Sequence, residues 1–295
     1  MLNDKNISSY LHLHLIVFIW GFTAVLGALI SLDALPLVWY RMAMATVFIG
    51  GYIYIAKIDV KVPPLVLVKF LVAGLIIALH WYTFFEAIKV SNVSVTLACL
   101  STGAFFTSIL EPIFFKRRVI PYEVILGIVV IAGLYMIFKI DVKYVHGIIL
   151  ALTSAFLSAS FSIINGKLAK EHNSSVISFY ELIGGVLFFS IFMAFKGTFT
   201  TDFFKLSWND LLWMSLLSSI CTAYAFIASV QVMKYISPYT VMLTINLEPI
   251  YGIILALLVF GEKEKMDGQF YIGALVILGT VIANVLLKNK FKTKE

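Results

Sequence analysis

Asn246-Leu247-Glu248-Pro249-Ile250-Tyr251-Gly252 runs on through an apolar stretch to Phe260 and ends in Gly261-Glu262-Lys263. It sets a carboxylate and a proline in the middle of a segment long and apolar enough to cross a bilayer. An Asp or Glu at bilayer depth costs roughly 2.5–3.5 kcal/mol on insertion scales, so it faces a cavity or a partner rather than lipid. Proline lacks an N–H, which leaves the carbonyl four residues earlier, on Ile245, without its helical donor and predicts a kink. Such irregularity is tolerated at membrane depth only where protein or water covers it. Glu248 and Pro249 therefore predict a polar pathway through the protein.

The rest of the chain places this stretch in a polytopic helical protein. Of 295 residues, 61% are hydrophobic and 13% charged, with a mean hydropathy of +0.99. Soluble domains average about 45–50% apolar and about 25% charged. The apolar runs predict ten spans, at about 11–30, 36–56, 66–88, 93–115, 121–138, 146–166, 176–195, 209–233, 238–260 and 268–287, each near the roughly 20 residues a helix needs to cross. Ten spans leave only short loops and no room for a separate soluble domain. Cys99 and Cys221 both fall inside spans, which excludes a secreted disulfide framework.

Charge orients the predicted topology. With the N-terminus inside, the cytoplasmic segments hold Lys5, Lys57, Lys61, Lys69, Lys116, Arg117, Arg118, Lys167, Lys170, Lys234 and the four tail lysines. The opposite side holds Lys89, Lys139, Lys143, Lys196, Lys205, Lys263 and Lys265. A bias of about two to one predicts both termini in the cytoplasm. The net charge of +6 is then loop charge and gives no reason to expect nucleic acid as a partner; the expected partners are the lipid bilayer and a small-molecule solute.

The halves repeat. Ser91-Asn92-Val93-Ser94-Val95 is echoed by Ser237-Pro238-Tyr239-Thr240-Val241, and Gly127 and Gly133 recur as Gly273 and Gly279, each 146 residues on. The division predicted is residues 1–140 and 141–295, five spans each. An odd number of spans per copy inverts the second copy, and inverted repeats are typical of secondary transporters with a midplane site between them. Under this offset Glu248 falls opposite Gly103 or its neighbour. It is not the counterpart of Glu111, although Glu111 also precedes a proline.

Polar residues inside the spans supply the candidates. His80, beside Trp81, is a titratable group at membrane depth, with protons as a candidate coupling ion; a bond to a backbone carbonyl is the plainer reading. Gly103, Thr107 and Glu111 lie four apart on one face, as do Thr240, Thr244 and Glu248. Trp20, Trp81 and Tyr224 sit deep enough to line a pathway. The cavity candidates are thus Trp20, His80, Trp81, Thr107, Tyr224, Thr244 and Glu248, in a cavity built from spans 1, 3, 4, 6, 8 and 9. Arg41, placed near the outer interface, can snorkel its head to the headgroups or pair with a substrate carboxylate; it and Glu111, beside Lys116 and Arg117, are candidates for gating or structural ion pairs. No metalloprotease, P-loop or nucleophile-elbow motif is present, and no cofactor is implied. His12 and His14, two apart on a helix, make a poor metal site.

These stretches carry a resemblance. Asn246–Lys263 is similar to the ninth-span motif of the EamA-type group of the drug/metabolite transporter superfamily, with its trailing Gly-Glu. Leu35–Gly51 matches the family's second span, including its arginine, here Arg41. Ala87-Ile88-Lys89-Val90-Ser91 resembles the Ala-Leu-x-Tyr-x-Ser turn, although its tyrosine position holds Val90 or Lys89. The first-half counterpart of the Gly-Glu turn also departs, as Lys116-Arg117. The resemblance implies an inverted 5+5 fold in a bacterial cytoplasmic membrane. It also implies ATP-independent solute movement, with amino-acid export by alternating access as the expected activity. The alternative is an intramembrane enzyme acting on lipid-soluble substrates, which needs several converging acid, base or metal groups.

Overall fold

The computed structural model describes residues 4–116, 118, 120–138 and 144–292, and every regular element among them is helical. The first half holds α1 (Asp4–Leu29), α2 (Ala34–Ile55), α3 (Pro64–Val90), α4 (Val93–Leu100), α5 (Gly103–Phe115) and α6 (Pro121–Phe138). The second holds α7 (Val145–Leu168), α8 (Ser174–Phe195), α9 (Trp208–Ser218), α10 (Ala225–Val232), α11 (Pro238–Ile245), α12 (Glu248–Phe260) and α13 (Gly268–Lys292). Among the described residues eight segments are long and apolar enough to cross a membrane, three of them built from joined helices: α4 with α5, α9 with α10, and α11 with α12. Large apolar side chains such as Tyr54, Ile55, Phe195 and Leu258 stand more than three-quarters exposed on the outside of the bundle. Lipid is the environment that makes such a surface favourable. The chain is a multi-pass membrane protein.

Local sequence sets the helix ends. Pro64, Pro121 and Pro238 each occupy the first helical position, where the missing N–H costs nothing and the fixed φ suits the helix. The side chains of Asn92, Asn173, Ser207 and Ser237 accept from backbone N–H groups of the first turns they precede, the usual N-cap arrangement.

Two spans expected to be continuous are broken. The chain leaves α4 after Leu100 and re-enters a helix at Gly103; it leaves α11 after Ile245 and re-enters at Glu248. The breaks are equivalent: Val93 and Pro238, Leu100 and Ile245, Gly103 and Glu248, Phe115 and Phe260 are each 145 residues apart. The structural offset is thus one less than the 146 read from the glycines, and it pairs the two N-caps Asn92 and Ser237. It also sets Glu248 opposite Gly103. Pro249 does not kink a continuous helix, as its position suggested. It lies at the start of α12, where no donor is needed, and the chain crosses the break through the short contacts Asn246 N–H to Leu243 O (3.2 Å) and Leu247 N–H to Thr244 O (3.0 Å).

Each broken span begins with amides that need acceptors. Glu264, just past α12, accepts from the N–H groups of Val93 (3.0 Å) and Ser94 (2.9 Å) at the start of α4. Glu111, in α5, accepts from the N–H of Tyr239 (2.9 Å) at the start of α11. These caps cross between the halves and lie at opposite ends of the bundle, because the α4–α5 span separates them. A carboxylate at a helix N-terminus gains from both the hydrogen bonds and the helix dipole. Of the two partners expected for Glu111, Lys116 or Arg117, the second lies outside the described residues.

Close helix approach holds the bundle. The helix pairs α3–α8, α3–α7, α1–α12 and α6–α13 are packed together. A Cβ on Gly74 would run into the carbonyl of Glu181, and one on Gly184 would meet the backbone of Leu71 at 2.8 Å. Gly74→Val is therefore expected to cost at least the about 1–3 kcal/mol typical of overpacking, read as a lower unfolding temperature in detergent; Gly51→Ala, with open space around it, should cost nothing. Glu264→Ala and Glu111→Ala should each lower the unfolding temperature, by the about 1.5–3 kcal/mol of hydrogen bonds to a charged group. Acting at opposite ends, their effects should add in the double variant.

Candidate functional site

A cavity lies between the halves, near both helix breaks. It is lined from α1 by Trp20 and Thr23, from α2 by Arg41, and from α3 by His80, Trp81 and Phe84. Leu100 closes it at the end of α4. The second half contributes Ser158, Phe161 and Ser162 of α7, Cys221 of the turn after α9, Phe226 and Ser229 of α10, Met233, Ile245 and Glu248. The empty space between these side chains, including its open mouth, is about 640 Å3.

Arg41 corrects the plainer of its two sequence readings. Its position near the start of α2 suggested an arginine at the outer interface with its head in the headgroups. Instead it is 2% exposed and points into the cavity. Its Nε donates to Thr222 Oγ1 at 2.7 Å, and its guanidinium carbon stands 3.9 Å from the centre of the Trp81 ring. Nη1 is buried without a partner. Among the described residues no acidic side chain forms an ion pair with it. A buried guanidinium held by one hydroxyl, the Trp81 face and, at 5.4 Å, the Phe85 ring is incompletely compensated.

The threonine that holds Arg41 is set by an irregular turn. Ser219–Tyr224 form a π-helical turn between α9 and α10, and the hydroxyl of Thr222 donates to the carbonyl of Leu217, five residues back (2.6 Å). With its proton committed there, Thr222 Oγ1 offers lone pairs to Arg41. Single π turns often mark functional sites. The same turn brings the carbonyl of Cys221 to Trp20, whose Nε1 donates to it at 3.1 Å.

Glu248 lines the same cavity as the first residue of α12. It is 6% exposed, and its carboxylate has no hydrogen-bond partner among the described residues. The N-terminal end of α12 favours its negative charge. Arg41 and Glu248 thus share one cavity without pairing to each other. Aromatic rings of Trp81, Phe84, Phe161 and Phe226 lie around them. This arrangement suits a small solute that carries both a carboxylate and a cationic group on a partly apolar body.

The remaining candidates separate. The structure brings Trp20, His80, Trp81 and Glu248 to one cavity with Arg41. His80 Nδ1 lies 2.9 Å from the carbonyl of Ser154 and 2.8 Å from its hydroxyl, the plainer of its two readings. Thr107 and Thr244 stay outside the cavity lining; each donates one turn back on its own helix, to Gly103 O (2.8 Å) and Thr240 O (2.9 Å). Tyr224 is also outside. It is 45% exposed and its hydroxyl meets His12 Nε2 at 3.0 Å, because the π turn rotates it away from the cavity. Thr222 and Ser229, which sequence reasoning missed, carry no mark of their own in an apolar segment. Among the described residues no group of three or more His, Cys, Asp or Glu side chains is placed to hold a metal.

Comparison with known proteins bears on this geometry. A search of the curated proteins finds no match. A crystal structure of a protein 15% identical in sequence superposes with a TM-score of 0.72 over 96% of this chain and 98% of its own, a likeness of fold. The model of the EamA-like transporter family matches residues 7–139 and again 145–286. Two copies of one family unit fit the two halves whose helix breaks are equivalent, and the chain belongs to the EamA-like transporter family.

Proposed function

We propose that this protein is a secondary transporter that exports small zwitterionic metabolites, amino acids first among them, across the bacterial cytoplasmic membrane by alternating access. The observation that carries this reading is Arg41, whose Nη1 has no partner, and Glu248 together in one aromatic-lined cavity between the repeats. An α-carboxylate would supply the partner that Arg41 Nη1 lacks, and an α-ammonium would meet Glu248. Bound solute would then offset the cost of burying both charges, which neither group's present partners do. The aromatic and aliphatic walls would take an apolar side chain.

The fold supports the cycle. The apolar helices α6 and α13, packed on each other, would complete ten crossings, with both termini in the cytoplasm as the loop charge suggests. The cross-half caps Glu264 on α4 and Glu111 on α11 stand at the two ends, where a rocking motion would open one and keep the other. No observation favours the intramembrane enzyme.

Proteoliposome counterflow of radiolabelled L-leucine, L-threonine and L-phenylalanine tests the reading. Saturable exchange of at least one is expected. Arg41→Gln and Glu248→Gln should each lower it by about tenfold or more, as loss of one charge-assisted hydrogen bond implies. Arg41→Lys should not restore it, because an ammonium lacks the planar fork that stacks on Trp81. Exchange that both charge-removing variants leave within about twofold contradicts the assignment, since that is well under 1 kcal/mol.

A further inference from the structure

Beside the cavity, but not lining it, is a second buried acid. Glu181 lies in α8, about 10 Å of helix in from Ser174 at 1.5 Å per residue, and is 0% exposed. Its Oε2 accepts from Asn165 Nδ2 at 3.3 Å, and Oε1 has no partner. Asn165 of α7 is also 0% exposed, and its Oδ1 has no partner either. Two groups already in contact thus each keep one unsatisfied acceptor. Two buried acceptors cannot satisfy each other, and each costs about 1–3 kcal/mol when left alone. A single proton on the carboxyl resolves both. The O–H becomes a donor, the amide oxygen accepts it, and acid and amide form a closed pair of hydrogen bonds.

The surroundings agree with an uncharged acid. From α3 the Gly74 backbone packs against the Glu181 carbonyl, and His80 of the same helix is bonded to Ser154. From α2 the one charged candidate, Arg41, is committed to Thr222 and Trp81. α10, which also packs on α8, has no titratable residue. Lys167, two residues past Asn165 on α7, donates to the carbonyl of Phe114 (2.6 Å). Among the described residues no cation pairs with Glu181. A bare carboxylate in such a place costs several kcal/mol, and a buried acid avoids that by taking up a proton.

The acid is joined to the cavity. Ser158, Ser162 and Asn165 lie at i, i+4 and i+7 on α7, hence on one face. Ser158 and Ser162 line the cavity, and Asn165 is the next position towards Glu181. We propose that Glu181 is a proton-binding site of this protein, paired with Asn165 and linked to the cavity by this polar stripe of α7, and that its proton is the coupling ion. The coupling role rests on the transporter reading; the proton site does not.

Infrared difference spectra of the parent against Glu181→Gln in lipid nanodiscs at neutral pH test the site without any solute. The carbonyl stretch of a protonated carboxylic acid is expected in the parent and lost in the variant; no such difference overturns the site. Asn165→Ala, which keeps the carboxyl, should shift that band, and an unshifted band overturns the pairing. Proteoliposome uptake of L-leucine under an imposed pH gradient then tests coupling. Stimulation by the gradient is expected in the parent and its loss in Glu181→Gln, while gradient-free counterflow persists. Stimulation that survives in the variant, or is absent from the parent, overturns the coupling role. A parent that moves no leucine, threonine or phenylalanine counts against the transporter reading instead, and the infrared band alone then decides the proton site.

Discussion

A backbone amide at membrane depth has no water to bond, so a helix that ends inside a bundle must find its acceptors in the protein. This protein divides two of its spans into half-helices, carries the chain over each break on local bonds such as Thr102 N–H to Cys99 O (3.1 Å) and Leu247 N–H to Thr244 O (3.0 Å), and caps the outer start of each span with an acid from the opposite repeat. Glu264 takes the first amides of α4, and Glu111 takes one at the start of α11. The half-helices are thereby tied to one another across the pseudo-symmetry, and the interior end of α12 faces the cavity beside Leu100 and Ile245. Where the first copy begins its second half-helix with Gly103, the second begins with Glu248. The space beside Gly103 is taken by the side chain of Met242, while the equivalent break delivers a carboxyl group to the cavity.

The cavity's polar character comes from that asymmetry and from the turn between α9 and α10. The π turn fixes Thr222 as an acceptor for Arg41 and Cys221 as an acceptor for Trp20. Trp81 gives the guanidinium a flat aromatic face. None of this neutralises the charge. Charged groups at bilayer depth are costly, and those that persist belong to pathways for ions and solutes. In the proposed cycle the solute supplies the missing partners, which makes the loaded cavity the better-compensated state and gives binding energy a use in opening and closing the ends.

Much of this was legible in the sequence, and the failures have physical causes. The apolar runs, the repeat and the position of Glu248 opposite glycine were readable because each leaves a mark at fixed spacing. The break at Ser101–Thr102 was not, since no proline announces it; only its equivalence with Asn246–Leu247 reveals it. Arg41 was misplaced because depth was judged by distance along α2. Helix packing, not distance from the loop, decides what covers a side chain, and here α3 and the π turn cover it. The threonine stripes misled because a hydroxyl within a helix can satisfy itself on the preceding turn, as Thr107 and Thr244 do. Tyr224 was lost to the π turn, which adds a residue to the helical period and rotates the side chains beyond it. Glu181 was visible only as a residue in a span; its unmatched contact with Asn165 needs two helices in place.

The central claim is that the cavity between the repeats, with Arg41 and Glu248 on its walls, holds the solute. Cys221 lines that cavity and Cys99 is buried away from it, so the protein carries its own reporter and its own control. The most direct measurement is the rate at which N-ethylmaleimide alkylates each cysteine in the intact membrane-embedded protein, followed by mass spectrometry, with and without saturating L-amino acids. The account predicts alkylation at Cys221 that is slowed by the amino acids in the parent and not in Arg41→Gln. Alkylation of Cys221 that no amino acid slows, or that is slowed equally in Arg41→Gln, would contradict it.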